Sequence, residues 1–356
     1  MKHIFTLLLI ASSINIALAQ KSKSKPAPVI TRFYQLTGTV DKQPVTFNLH
    51  RDGEQLYGSF YYDATEEPLE TYGTLQTDGS LRISVFDRLT GDMTEEFSGK
   101  FKDSTFTGTW VYKGKTQPFK LSIPRNTNGL SFDYVTTKGA KKLPKSQQFG
   151  RSEITYTAAA VCPTATSTHP AAQLIRAKIF DAYNYSSTDN TIGEAMLSEK
   201  KAVLNQGDEI AKYGVTTNVH IEYWSNKILT FSTYNWEDNG GAHGNYTIKY
   251  TSIDLTTNQE VGPMFKDECE QLPVVLDKKL REYFNVDKDR KLADFLLVDT
   301  LPINGNWLVT TKGITCCYDP YEIAAYGAGQ IRLYIPYKEL EGCLTDEFKK
   351  LIGMKK

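Results

Sequence analysis

The chain has 356 residues, with 41 Lys and Arg set against 41 Asp and Glu, so its formal net charge is zero. That balance leaves no single-sign excess with which to neutralise a phosphate backbone, and nucleic acid is not an expected partner. A length well beyond one hydrophobic core predicts two domains.

The chain opens with Lys2, an apolar run from Ile4 to Ile10 that continues to Ile16, and the small-residue triplet Ala17-Leu18-Ala19 before Gln20. Charge, a short apolar core and an A-x-A site in that order form a secretory signal peptide, so export is expected, with cleavage between Ala19 and Gln20. The apolar stretch is too short to span a bilayer, and no later segment reaches about 18 uninterrupted apolar residues. The mature chain is therefore expected to lack a membrane span. No cysteine lies beside the cut, which removes the residue a lipid anchor would need. Residues 20 to 28 mix Lys, Ser and Pro and read as a flexible lead-in.

From Val29 to Ile123 the sequence turns aromatic and β-branched, with turn signals every 8 to 12 residues. One pattern recurs: a large apolar residue, a spacer, glycine, a spacer and another large apolar residue. It occurs in Leu36-Thr37-Gly38-Thr39-Val40, Leu56-Tyr57-Gly58-Ser59-Phe60, Phe97-Ser98-Gly99-Lys100-Phe101 and Phe106-Thr107-Gly108-Thr109-Trp110. Period-2 alternation with a mid-strand glycine predicts antiparallel strands that bend or approach closely at the glycine. Asp52-Gly53 and Asp78-Gly79 supply tight hairpin turns. The expectation for 29–123 is an all-β antiparallel meander or barrel-like module of seven or eight strands.

Residues 124 to 152 are polar and broken by Gly and Pro, and read as a linker. Beyond them, 153–356 mixes helical and strand periodicity. Helices are predicted at Ala171 to Tyr183, Gly193 to Tyr213, Leu272 to Phe284, Asp287 to Phe295 and Thr345 to Ile352. Strands are predicted at Glu153 to Ala159, through Val219, Ile221 and Tyr223, at Ile228 to Tyr234, from Tyr246 to Leu255, at Trp307 to Thr311 and at Gln330 to Ile335. Mixed runs without repeated βαβ units predict an α+β domain built on an antiparallel sheet.

Cys162, Cys269, Cys316, Cys317 and Cys343 all fall in this second half. In an exported chain they predict one or two disulfides with a thiol left over, in a connectivity that spacing does not reveal. Cys316 and Cys317 are adjacent, so in an extended strand they face opposite sides. With no C-x-x-C and few histidines, no metal site or cofactor is expected.

The chemistry-bearing residues concentrate in Tyr234-Asn235-Trp236-Glu237-Asp238-Asn239-Gly240-Gly241-Ala242-His243-Gly244-Asn245, between two predicted strands. Two readings stand. In one, the loop recognises a ligand: Tyr234 and Trp236 offer stacking faces, and Asp238 and His243 offer hydrogen bonds. In the other, Gly240, Gly241 and Gly244 shape a turn that His243 fastens to neighbouring backbone. Nucleophile-elbow, zincin, P-loop and dinucleotide motifs are absent, which favours binding over catalysis. A glycosidase needs only two suitably spaced carboxylates, and Glu237, Asp238 and Glu322 are the acids near the motif segments.

This loop resembles that of the RsiV-like and PdaC-like extracytoplasmic domain of bacterial envelope proteins. The resemblance rests on Ile228-Leu229-Thr230-Phe231, Gly240-Gly241-Ala242-His243-Gly244 and Ile253-Asp254-Leu255. A second match follows at Gly313-Ile314, Tyr318-Asp319-Pro320-Tyr321-Glu322-Ile323, Tyr326-Gly327-Ala328-Gly329 and Ile335-Pro336-Tyr337-Lys338-Glu339-Leu340, together covering about 153 to 345. The resemblance implies an envelope binding module whose partner is a lysozyme-like protein or peptidoglycan, with Tyr321 joining the binding candidates. Neither a membrane-anchored anti-sigma segment nor a deacetylase domain is expected within these residues.

Overall fold

A computed structural model describes residues 29–87, 91–125, 128–147, 150–185, 191–207, 210–287 and 289–354. The expected signal peptide and lead-in lie outside the described residues.

Eight antiparallel strands close into a barrel: β1 (Thr31–Val40), β2 (Gln43–Asp52), β3 (Gln55–Tyr62), β4 (Leu69–Leu75), β5 (Ser80–Phe86), β6 (Met93–Lys102), β7 (Thr105–Tyr112) and β8 (Lys115–Ser122). Each strand pairs with the next, as a meander should. β1 pairs with β2 along its whole length but with β8 only from Thr37 to Val40. The alternating apolar residues point inward, where Phe47 lies 4.6 Å from Phe60 and Phe106 lies 4.6 Å from Phe119, ring centre to ring centre. Mid-strand glycines mark close backbone approaches: a methyl at Gly58 would sit 1.9 Å from the Asn48 carbonyl oxygen. One acid enters this core. Glu95 accepts hydrogen bonds from Trp110 Nε1 at 2.6 Å and Tyr62 Oη at 2.8 Å, and burial raises its pKa.

The second body is built on a six-stranded sheet, ordered β14-β13-β12-β11-β10-β9. Its strands are β9 (Phe132–Lys142), β10 (Glu153–Pro163), β11 (Gly214–Trp224), β12 (Ile228–Asp238), β13 (Asn245–Asp254) and β14 (Gln259–Glu260). Two expectations need correction. β9 lies within 124–152, so much of the supposed linker is the edge strand of this sheet. β10 and β11 run parallel, joined through α1 (Ala172–Asp181) and α2 (Ile192–Leu204), so the sheet is mixed rather than wholly antiparallel. The second helix is shorter than expected and starts at a capping box, in which Thr191 and Glu194 satisfy each other's backbone donors. Ile175, Ile179 and Met196 of these helices share one core with Tyr156, Ala158 and Phe231 of the sheet.

A three-stranded sheet, β15 (Trp307–Val309), β16 (Gly313–Tyr318) and β17 (Ile331–Pro336), packs with α3 (Gln271–Tyr283) and α4 (Asp346–Ile352) in a third core. In the segment expected to be helical near Asp287 to Phe295, the described residues form a short 3-10 turn at Leu292–Phe295. Cys269 and Cys343 form a disulfide, while Cys162, Cys316 and Cys317 are buried outside it. Among the described residues no helix is long and apolar enough to cross a membrane.

The barrel docks directly on the second body. A bulge between Ile221 and Tyr223 takes Glu222 out of register with β12, and its carbonyl accepts hydrogen bonds from the barrel, from Asn48 Nδ2 at 3.2 Å and Ser59 Oγ at 2.5 Å. Beside it the Ile221 amide donates to His50 Nε2 at 3.0 Å. Glu66 anchors the barrel to the smaller sheet by accepting from the Thr311 amide at 2.8 Å.

Candidate functional site

Strands β12 and β13 form a hairpin whose tip, residues 239–244, is the glycine-rich loop. Its shape comes from three fastenings. Asp238 receives Arg151 side-on, Nε to Oδ2 and Nη2 to Oδ1, both at 2.7 Å, and the same guanidinium donates to the Gly241 carbonyl at 2.8 Å. The Gly240 amide adds a 3.0 Å bond to Asp238 Oδ1. The Arg151 hydrogen bond in particular holds the Asp238 carboxyl below its ordinary pKa. Both oxygens of Asp238, expected as a ligand-binding group, are thus occupied by the protein itself.

Trp236 is likewise drawn inward. A methyl on Gly244 would lie 2.4 Å from its indole, and one on Gly214 would lie 2.6 Å away. The ring therefore rests in a slot made by two missing side chains, half-buried rather than presented as an open platform. Gly240 takes the left-handed φ of +85° that the turn needs, whereas Gly241 meets no obstruction that would require glycine.

His243 behaves differently. Its Nδ1 lies 2.8 Å from the Gly244 carbonyl, which can only accept, so in the neutral ring Nδ1 carries the proton and Nε2 presents a lone pair. The Tyr321 hydroxyl lies 3.2 Å from that Nε2 and donates to it. The imidazole lies 4.2 Å from Tyr326, ring centre to ring centre, at a tilt of 32°, and runs nearly parallel to Tyr321, with an interplanar angle of 11°. Tyr326 contacts Tyr246, which stacks on Tyr234 at 5.5 Å. Two segments about 80 residues apart thus build one aromatic surface. Tyr321, Tyr234 and His243 were legible as candidates, whereas Tyr246 read only as a strand residue and Tyr326 only as part of the second motif.

The second segment is held by a polar lattice. Asp319 Oδ1 accepts from the Ile248 amide at 3.0 Å and Gln330 Nε2 at 2.9 Å, with burial raising its pKa. Glu322 accepts from the Asp319 amide at 2.9 Å and Asn304 Nδ2 at 2.6 Å. This lattice forces Tyr321 to a φ of +68°. A bulky side chain in that region costs about 1–2 kcal/mol, yet the residue remains 51% exposed. Glu237 pairs with Lys212. Among the described residues no cluster of three or more His, Cys, Asp or Glu side chains is arranged to hold a metal ion.

The segment carrying Tyr321 also carries the sequence likeness. Its residues 262–338 match the model of DUF3298, a protein family of unknown function. This stretch is a DUF3298 domain. It spans α3 and the three-stranded sheet, while the glycine-rich hairpin lies just upstream. A crystal structure of a DUF3298 family member from Bacteroides fragilis NCTC 9343 superposes with a TM-score of 0.55 at 18% identity, covering 64% of this chain and 98% of that one. The two share a fold. A DUF3298 family protein from Pseudomonas aeruginosa PAO1 aligns at a TM-score of 0.45 and 15% identity, covering 62% of this chain and 96% of that one. No curated protein matches the chain.

Proposed function

We propose that this is an exported protein of the bacterial envelope that binds a cell-wall-related ligand, either a lysozyme-type protein or a peptidoglycan glycan, without turning it over. The observation that carries the reading is the aromatic surface formed where His243 meets Tyr321 and Tyr326. Tyrosines with an apolar face and a polar edge suit both a protein anchor and a sugar ring. The strained backbone at Tyr321 supports a role beyond packing, because an exposed ring there contributes little burial to offset its cost. The disulfide agrees with an oxidising compartment and so with the leader sequence. Resemblance to RsiV-like and PdaC-like domains supplies the ligand class. Asp238, Glu237 and Glu322 are each engaged by protein partners, which supports binding over hydrolysis.

The test is calorimetric titration of the mature chain with lysozyme and with purified peptidoglycan, following glycan turnover in the same samples. Saturable binding that Tyr321→Gly weakens at least tenfold, without released sugar, is expected. Turnover would replace this reading with a hydrolase, and silence with both ligands would leave a structural envelope protein.

A further inference from the structure

Between the barrel and the six-stranded sheet runs a cleft of about 590 Å³, within the roughly 300–1,000 Å³ typical of small-molecule sites. Its walls come from β3 and β4 of the barrel and from β11, β12 and β17 of the second body, so neither body forms it alone.

Arg332 in this lining has a side chain only 7% exposed. Its Nη1 reaches Glu70 at 3.4 Å, but Nε and Nη2 are buried with no hydrogen-bond partner in the protein. Those two donors form the same side-on fork with which Arg151 grips Asp238. A second buried group in the cleft, Asn218 Oδ1, is an acceptor and is also unpartnered. Unsatisfied buried polar atoms destabilise a fold, and finding such donors and such an acceptor on residues that line one cavity marks a place prepared for a polar ligand.

The charges narrow its chemistry. Arg332 and Lys138 face Asp52, Glu70 and Glu222, with Lys138 paired to Asp52. An anion would meet Glu70 and Glu222, whereas a cation would meet Arg332. A neutral hydroxyl both donates and accepts, so it can serve Arg332 and Asn218 without opposing either sign. Tyr57, Tyr72 and Tyr234 add aromatic surface to the same walls. We infer that the cleft is a binding site for a neutral saccharide, held by the Arg332 fork and the Asn218 amide against tyrosine rings.

The inference extends the glycan arm of the preceding proposal to a different set of residues, sharing only Tyr234. Mature full-length protein should be titrated with neutral tetrasaccharides (chitotetraose, cellotetraose, maltotetraose, xylotetraose and mannotetraose) and with tetragalacturonate as an anionic control. At least one neutral sugar is expected to bind saturably and more tightly than tetragalacturonate. Arg332→Lys, which keeps the charge and loses the fork, should weaken it at least tenfold. Tyr72→Ala should do the same, and because Tyr72 is 56% exposed this variant guards against loss of folding. Silence from every neutral sugar, tighter binding of tetragalacturonate, or unchanged affinity in both variants would overturn the proposal. Loss on Tyr321→Gly with both cleft variants inert would place the sugar on the aromatic surface, sinking the cleft while sparing the earlier reading.

Discussion

At the scale of single residues, the loop shows how one glycine differs from another. Gly244 is required by the indole beside it, so Gly244→Ala should push Trp236 from its slot and cost about 1–3 kcal/mol, read as a lower thermal midpoint. Gly241→Ala, with open space around it, is the control and should shift the midpoint little. Tyr321→Gly works the other way. It relieves a left-handed backbone but frees a more flexible unfolded chain, so stability should stay within about 1 kcal/mol of the parent. A large loss would mean that the ring serves the fold rather than a ligand. Sequence alone pointed to this loop but not to what each of its side chains contacts. Asp238 and His243 look equally able to bind, and only the position of Arg151, in a stretch read as linker, shows that the aspartate is already taken.

At the scale of elements, the barrel was legible because its signals are local: alternation, Asp-Gly turns and repeated glycines all act within a hairpin. β9 was hidden for a physical reason. As an edge strand it carries Lys138, Lys141 and Lys142 and exposes much of its length, which reads like solvated linker although the charges suit an unpaired edge. The parallel β10–β11 pair was equally illegible, since its crossover spans two helices and no short-range pattern records strand direction. The disulfide too depends on spatial meeting, joining the residue just before α3 to the end of a turn before α4. Its sequence separation of 74 residues encloses a long loop, so reduction or Cys343→Ser should cost about 2–4 kcal/mol, measured by denaturant titration.

At the scale of the molecule, the two bodies meet at a pair of imidazoles, one fully buried and one half-buried beside the cleft. His50 of the barrel and His220 of the sheet lie 4.5 Å apart, ring centre to ring centre, with Tyr57 and Tyr134 against them. Burial lowers His220 from 6.5 to about 3, and burial together with His220 depresses His50. For these bases the unfolded chain takes up protons that the folded one refuses. Their contribution is complete above pH 6.5 and declines as pH falls towards 3. Carboxyls with raised pKa values, such as Glu95 and Asp319, act in the opposite sense. The comparison must therefore be parent against His220→Gln, and the variant should show the weaker acid sensitivity between about pH 5 and 6.5. An identical pH profile would remove the imidazoles from the account.

The uneven pairing of β1 gives the barrel a short seam. The strand holds β2 throughout, but only its last four residues meet β8, while Phe33 in its first half packs 5.9 Å from Phe132 of β9. The cylinder is thus laced shut at one end and buttressed by its neighbour at the other. Opening that lacing breaks few bonds and disturbs no other pair of strands, so it is the cheapest subglobal excursion the barrel offers. Deuterium should enter the amides that bridge Thr37–Val40 and Phe119–Ser122 before those between β2 and β3. Because the other half of β1 leans on the second body, the barrel should breathe by swinging β8 outward while its first strand stays in place.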